Sequence, residues 1–307
     1  MRPTKVTIVG ANGLLGRHLV SIFTSDPRFT VSILTRKHSP SAGDSFSFPP
    51  NIPVHTIAGN AYSSASHDEL VKILTGQDVL ISVLASHAVA QQKALIDAAI
   101  EGGVGHFIPS EFGLDSRNEE AGKLLPGFLC REKRGVVNYL QSKEEAGLRW
   151  TAFVTGPFLE TSIPSYLGYD LPKRQARLSA TCYWSTTTLS TAALAVRNAL
   201  LLPISDISNR YLFIESFNIC QKDILAVLEE VTGEFWDVSY CDVEEGKRVA
   251  AEKLARGDYA GLPRVMRYVV CTPGHGADYM RYERKANKLL GLPEESLRSV
   301  LAGIVIK

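Results

Sequence analysis

The stretch TIVGANGLLGRHL, Thr7 to Leu19, decides the fold. A β-branched apolar run ends at Gly10, glycines return at Gly13 and Gly16, and a helical period starts with Leu15 and Leu19. That is a strand, a tight turn and a helix start, the unit that holds a pyrophosphate. Gly10 permits the turn, Gly13 lets main chain approach a phosphate, and Gly16 lets the helix pack close. The first N–H groups of the helix then face the ligand's negative charge. Gly10, Asn12, Gly13, Leu14, Leu15 and Gly16 are therefore candidate cofactor-binding residues.

Outward from this turn, strand and helix signals alternate. Strands are expected at 5–9, 29–34, 54–57, 78–84, 106–108 and 150–155. Helical periods fall at 15–23, 68–74, 89–100 and 133–146, with Gly102 and Gly103 closing the third. Short apolar strands alternating with helices make a parallel sheet covered on both faces. The glycine spacing, GxxGxxG, is the variant of short-chain and extended reductase-type Rossmann domains. The expected fold is α/β, a Rossmann-type doubly wound sheet with a smaller, mostly helical substrate-binding domain. Residues 1–155 would form the dinucleotide-binding domain, with 186–218 returning to it; 156–185 and 219–307 would form the second domain. Further helices are expected at 186–202, 221–231, 242–256 and 294–302, and a strand at 211–214. The Ser-, Pro- and Gly-rich segment 39–53 reads as a loop.

Bulk properties exclude several classes. The 307 residues carry a net charge of +1 with scattered Lys and Arg, which gives no footprint for nucleic acid or an anionic membrane. The longest apolar runs are too short or too polar to span a bilayer. Five widely spaced cysteines show no metal spacing, so no metal is expected and the thiols read as reduced, in a cytoplasmic protein. The partner is expected to be a small molecule, with the chain a monomer or homodimer.

The end of the second strand reads ILTRKHS. An acidic residue there would hold the ribose hydroxyl of NAD; Arg36 and Lys37 suit a 2′-phosphate instead, so the expected cofactor is NADP(H). Past the fourth strand lie Ser86, a candidate cofactor contact, and His87. The fifth strand runs into FIPSEFG, residues 107–113, where Pro109 stops the ladder. Ser110, Glu111 and Phe112 then stand on the carboxyl edge of the sheet, where such folds bind ligands. Two lysines compete for a catalytic role. Tyr139 and Lys143 have the Tyr-x-x-x-Lys spacing of many reductases, but Lys143 lies near the far end of a helix that begins at the carboxyl edge. Lys133 is ten residues earlier, about 15 Å closer to that edge.

GANGLLG, QQKALIDAAIEGGVGHFIPSEFG and GADYMRYERKANKLLGLPEESL together resemble the isoflavone reductase-like branch of the atypical short-chain reductases. That branch includes phenylcoumaran benzylic ether reductases, pinoresinol–lariciresinol reductases and fungal NmrA-like proteins. The resemblance implies that Lys133, in EKRGVVNYL, is the catalytic acid/base and also meets the cofactor. It implies that Phe112, Gly156, Pro157 and Phe158 border the nicotinamide. Phe112, Phe158, Tyr166, Tyr169 and His275 are the candidate substrate-binding residues. The chain departs from the family in having Val137 where an arginine is frequent, and in lacking a lysine in PSAGDSFSF. The implied function is hydride transfer from NADPH to an enone, quinone methide or ketone of a phenolic or polyketide-type secondary metabolite. The alternative is a non-catalytic NADP(H)-binding redox sensor of the NmrA-like type.

Overall fold

The computed structural model describes residues 4–37, 48–59, 61–179 and 182–305. Most of the expected 39–53 loop, residues 39–47, lies outside the described residues. The chain divides into two units: Met1–Phe112 with Glu132–Phe153 and Ala192–Leu212, and Gly113–Arg131 with Val154–Thr191 and Phe213–Lys307.

The first unit is built on β1 (Thr4–Val9), β2 (Phe29–Arg36), β3 (Val54–Ile57), β4 (Val79–Ser82), β5 (His106–Ile108) and β6 (Arg149–Val154). Its helices are α1 (Leu14–Thr24), α2 (His67–Leu74), α3 (Gln92–Glu101) and α5 (Arg131–Ser142), with α4 (Glu119–Leu124) inserted before α5 from the second unit. The pairings β1–β2, β2–β3, β1–β4, β4–β5 and β5–β6 are all parallel. A later strand, Arg210–Phe213, extends the sheet beside β6. β1 and β4 are buried over four consecutive residues each, as strands covered on both faces must be. Leu70, Leu95, Val136 and Leu140 from α2, α3 and α5 close one face over Leu34, Leu80 and Trp150. On α1, Leu15, Leu19, Val20 and Phe23 form the buried stripe. The strand order reverses at β1, with β2 and β3 on one side and β4, β5 and β6 on the other. That reversal opens a crevice between the carboxyl ends of β1 and β4.

The second unit holds α6 (Leu159–Ser165), β7 (Tyr169–Asp170), β8 (Gln175–Leu178) and β9 (Trp184–Thr186). The chain then returns to the first unit through most of α7 (Leu189–Ala199), α8 (Ile204–Ile207) and β10 (Arg210–Phe213), and the second unit resumes with β11 (Phe217–Ile219), α9 (Gln221–Thr232), β12 (Asp237–Tyr240), α10 (Val243–Ala255), α11 (Leu262–Cys271) and α12 (Leu297–Val305). β12, β8 and β7 form a three-stranded sheet, and β9 pairs antiparallel with β11. Trp184, Tyr169, Ile224, Leu228, Val269 and Leu301 fill the core of this unit. The expected helix at 186–202 is shorter than its apolar pattern, because Thr186 ends β9 and the helix starts only at Leu189. Threonine suits a strand better than a helix interior, being stiff at χ1.

His106, at the start of β5, is almost fully buried. The Thr151 hydroxyl donates to the Ile207 carbonyl at 2.6 Å, so His106 Nε2, 2.9 Å away, is the donor to Thr151 Oγ1. Nδ1 has no partner among the described residues. Burial pushes the imidazole down to about 4. In the unfolded chain it takes up a proton near pH 6.5, so between those values the unfolded state binds more protons and stability falls as pH falls. A drop from pH 6.5 to 4 should cost about 3 kcal/mol through this group. Urea unfolding at both pH values checks this: His106→Gln should lose about that much less stability than wild type, and equal losses contradict the assignment.

Candidate active site

The glycine turn is fixed by main-chain contacts. Gly10 has φ +86°, and a Cβ there would lie 2.5 Å from the Val83 carbonyl oxygen, just past β4. A Cβ on Gly16 would lie 2.3 Å from the Gly10 carbonyl oxygen and 2.7 Å from Ala11 Cα, so this glycine makes room for the turn rather than for the sheet. Arg17 Nε donates to the Asn12 carbonyl at 3.0 Å and holds the loop from the helix side. Gly13 is the N-cap of α1; no side chain caps the helix, and its first turn carries no acidic residue. The N–H groups opening α1 are thus left for an anionic ligand.

Gly10, Asn12 and Gly13 line one wall of a cleft. Leu15 is buried behind them in the core, while Leu14 is largely exposed. The opposite wall is Val83, Leu84 and Ala85, at the exit of β4. Thr35 and Arg36 close the end at β2, and no carboxylate lines the cleft among the described residues. The Arg36 guanidinium sits 5.8 Å from the ring centroid of Tyr62. Tyr62 is itself anchored, its hydroxyl donating to the Leu34 carbonyl at 3.3 Å. Burial pushes that phenol up, so it stays neutral. Lys37 is exposed and outside the lining. Ser86 opens a 3-10 turn over Ser86–Gln91, and its neighbours Ala85 and His87 are the residues in the wall. Tyr62 and Phe48 also line the cleft and carried no sequence signal, since both stand in irregular segments without a period.

The PSEFG block joins the β5 exit to this wall. Ser110 Oγ donates to the Leu84 carbonyl at 2.7 Å, and Ser110 N donates to Oε1 of the buried Gln92 at 2.8 Å. Glu111 follows, with 1 % of its surface exposed, and its main-chain oxygen accepts a hydrogen bond from Lys133 Nζ. Phe112 stacks parallel on Phe153 with centroids 5.9 Å apart. Lys133 lies in the first turn of α5, on the buried stripe Lys133, Val136, Val137 and Leu140. A lysine there occupies the place of a core residue, and its amine reaches the carboxyl edge through the Glu111 carbonyl.

Tyr139 and Lys143 are employed elsewhere. The Tyr139 hydroxyl donates to Asp97 on α3 at 2.5 Å, and Lys143 Nζ is 3.8 Å from the same carboxylate. Burial and that hydrogen bond hold the phenol above its ordinary value, the wrong direction for a phenolate base.

Within the second unit, Gly156 has φ +63°, and a Cβ there would fall 2.0 Å from the Ser185 carbonyl oxygen. The Pro157 carbonyl accepts from Thr187 N and Thr186 Oγ1, and Phe158 bridges to Thr187. Tyr169 is core: its hydroxyl donates to the Gln221 carbonyl and its ring meets Trp236 edge-on. Burial raises the Tyr166 phenol, and the Tyr166 carbonyl accepts from Arg267 Nε. His275 Nδ1 lies 3.1 Å from the Pro273 carbonyl, which fixes it as the protonated ring nitrogen, and the ring packs edge-on against Tyr268. Among the described residues no group of three or more His, Cys, Asp or Glu could hold a metal ion, and no helix is long and apolar enough to cross a membrane.

Known proteins with this pattern agree on its class. The profile of the NmrA-like family matches residues 2–187. The oxidoreductase aprR of Aspergillus flavus is 47% identical over 303 residues, covering 98% of each chain. The isoflavone reductase homolog IRL of Zea mays is 36% identical over 176 residues, 55% of this chain and 51% of that protein. The structure of AtPrR2 with NADP+ and (+)pinoresinol superposes with a TM-score of 0.77 at 20% identity, covering 99% of both chains.

The turn's tight packing sets a test. Gly16→Ala should destabilise the protein by about 1–3 kcal/mol, because main-chain atoms must move. Gly122→Ala on α4, where an added Cβ meets nothing within 4 Å, should be neutral or slightly stabilising. Denaturant midpoints of the two variants decide it; a Gly16→Ala protein as stable as wild type contradicts the packing argument.

Proposed function

The chain belongs to the NmrA-like family and is an oxidoreductase of its isoflavone reductase-like branch, and on that premise we propose that it is an NADPH-dependent reductase in which Lys133 is the acid/base. The acceptor we assign is a conjugated or aromatic-linked one: an enone, a quinone methide or a ketone of a phenolic or polyketide-type metabolite. The observation that carries the proposal is Lys133 on a buried helix stripe, tied to the Glu111 carbonyl, in the unit that also holds the glycine turn.

The residues present fit the cofactor. An uncapped helix N-terminus beside Gly10 and Gly13 suits a pyrophosphate, and a cleft without a carboxylate but with Arg36 suits a 2′-phosphate. When bound, NADPH supplies the hydride. The chain's own part is proton management. Lys133, held at Nζ by the Glu111 carbonyl, stabilises negative charge on the acceptor oxygen and delivers the proton to it. Glu111 acts through its main chain, orienting the amine. Ser110 keeps the β4 and β5 exits in register, so that this amine stays fixed with respect to the cleft wall at Leu84. Phe112, braced by Phe153, offers a flat apolar face to a conjugated acceptor.

Turnover with a panel of phenolic enones, followed by NADPH oxidation, tests the assignment. Lys133→Ala should keep NADPH binding and lose about 10²-fold or more in kcat, while Tyr139→Phe should keep its rate. Unchanged turnover in Lys133→Ala refutes the catalytic role. Arg36 has its own test: Arg36→Ala should weaken NADP+ binding about tenfold or more and leave NAD+ binding unchanged, as read by fluorescence titration. Equal losses for both cofactors would remove Arg36 from phosphate recognition.

A further inference from the structure

The second unit contains a cavity of about 250 Å3 between β8, the end of β12, α10 and α11. Three guanidinium groups line it: Arg177 from β8, and Arg264 and Arg267 from α11. Two carboxylates, Asp242 and Glu245, share the lining, and both are already engaged. Asp242 accepts the N–H groups of Glu244 and Glu245 as the N-cap of α10. Glu245 gives both of its oxygens to Arg248. Glu245 is thus already paired with Arg248, and three guanidinium groups face the single remaining carboxylate, Asp242, so the lining keeps a net positive charge.

Arg267 is held in place. Its Nε donates to the Tyr166 carbonyl at 2.6 Å, and its guanidinium carbon lies where a Cβ on Gly168 would come within 3.1 Å. Gly168 has φ +95°, so glycine both makes this turn and admits the guanidinium. Arg177 and Arg264 form no side-chain hydrogen bond or ion pair among the described residues. Two guanidinium groups without partners beside a third that is anchored form a receptor for an oxyanion, whose planar forks match carboxylate and phosphate alike; the wall at Val249 and Gly246 selects an oxyanion with an apolar body. Val249 and Gly246 give the remaining wall an apolar character. An engineered cavity of about 150 Å3 holds benzene, so this one has room for a ring carrying an acid group.

We propose that the second unit carries a binding site for a small carboxylate with an aromatic or apolar body, held by Arg177, Arg264 and Arg267. The carboxylate lies against the guanidinium groups, and the body lies against Val249 and the open space at Gly246. The proposal does not rest on the dinucleotide reading, since every residue in it belongs to the second unit.

Benzoate is the probe, titrated into the full chain and followed by ligand-observed NMR. Wild type should bind it saturably, and more tightly than it binds inorganic phosphate. The Arg177→Ala/Arg264→Ala double variant removes two exposed side chains and should weaken binding about tenfold or more, the scale of a lost charge-assisted hydrogen bond. Gly246→Leu keeps every charge and adds a side chain where a Cβ meets nothing within 4 Å. It should fold normally, as judged by Tm, and also weaken benzoate about tenfold. Loss in both variants supports a cavity that reads charge and shape together. Binding unchanged in Gly246→Leu, affinity for phosphate equal to that for benzoate, or no saturable binding to wild type overturns the proposal.

Discussion

The constraint on which the site depends is the approach of one main chain to another at the switch point of the sheet. Gly10 turns with a positive φ directly against the Val83 carbonyl, leaving no space for a side chain. Because β1 and β4 are neighbours in the sheet, that contact sets the width of the cleft between their exits. The same short segment then serves the next strand: Leu84 lines the cleft and accepts the Ser110 hydroxyl from the β5 exit. One residue further on, the Glu111 carbonyl takes the amine of Lys133. Main-chain atoms and the short Ser110 side chain thus link the glycine turn to the lysine, and no long flexible side chain intervenes before the lysine itself.

That arrangement explains why a lysine can stand on a buried stripe. Moving an ammonium group out of water is costly, and an apolar residue between Val136, Val137 and the sheet would pack at lower cost. A charge-assisted hydrogen bond to a carbonyl offsets part of the loss, by about 1.5–3 kcal/mol. A local breach of packing of this kind is expected at functional sites rather than in ordinary cores. The contrast with Lys143 is direct. Lys143 is about one-third exposed and shares Asp97 with Tyr139 on the outer side of α3 and α5, where a lysine is inexpensive.

The parallel sheet was legible because its strands are covered on both faces and read as near-continuous apolar runs with few polar interruptions: KVTIV, DVLISVL and HFI. The glycine turn and Arg36, read from spacing alone, line one cleft. Tyr62 escaped because its role is tertiary; it stands between β3 and α2 and meets Arg36 only once the chain has folded. The second unit was harder to read. Its strands β7, β8, β9, β11 and β12 have two to four residues each, too few for a period of two to emerge. Helix α11 did carry a signal, Val265, Tyr268 and Val269 behind a proline in its first turn, but its charged residues diluted it. Those same charges, Arg264 and Arg267, face a cavity whose other wall is formed by residues far away in sequence.

Spacing motifs and helix position can disagree, and here position carries the physical content. Tyr-x-x-x-Lys places two side chains on one helix face wherever it occurs on the helix. Whether that face meets a ligand depends on how far along the helix it lies from the sheet's carboxyl edge. In α5 the edge is at the N-terminal turn, because that turn leans on the β5 exit through Lys133 and Glu111. Tyr139 falls about 9 Å further along at 1.5 Å per residue, beside α3 and facing Asp97. A residue's distance from a helix start is readable from sequence once the flanking strands are placed. In a doubly wound sheet it therefore separates residues at the carboxyl edge from residues beyond it, which a matching Tyr-x-x-x-Lys interval does not.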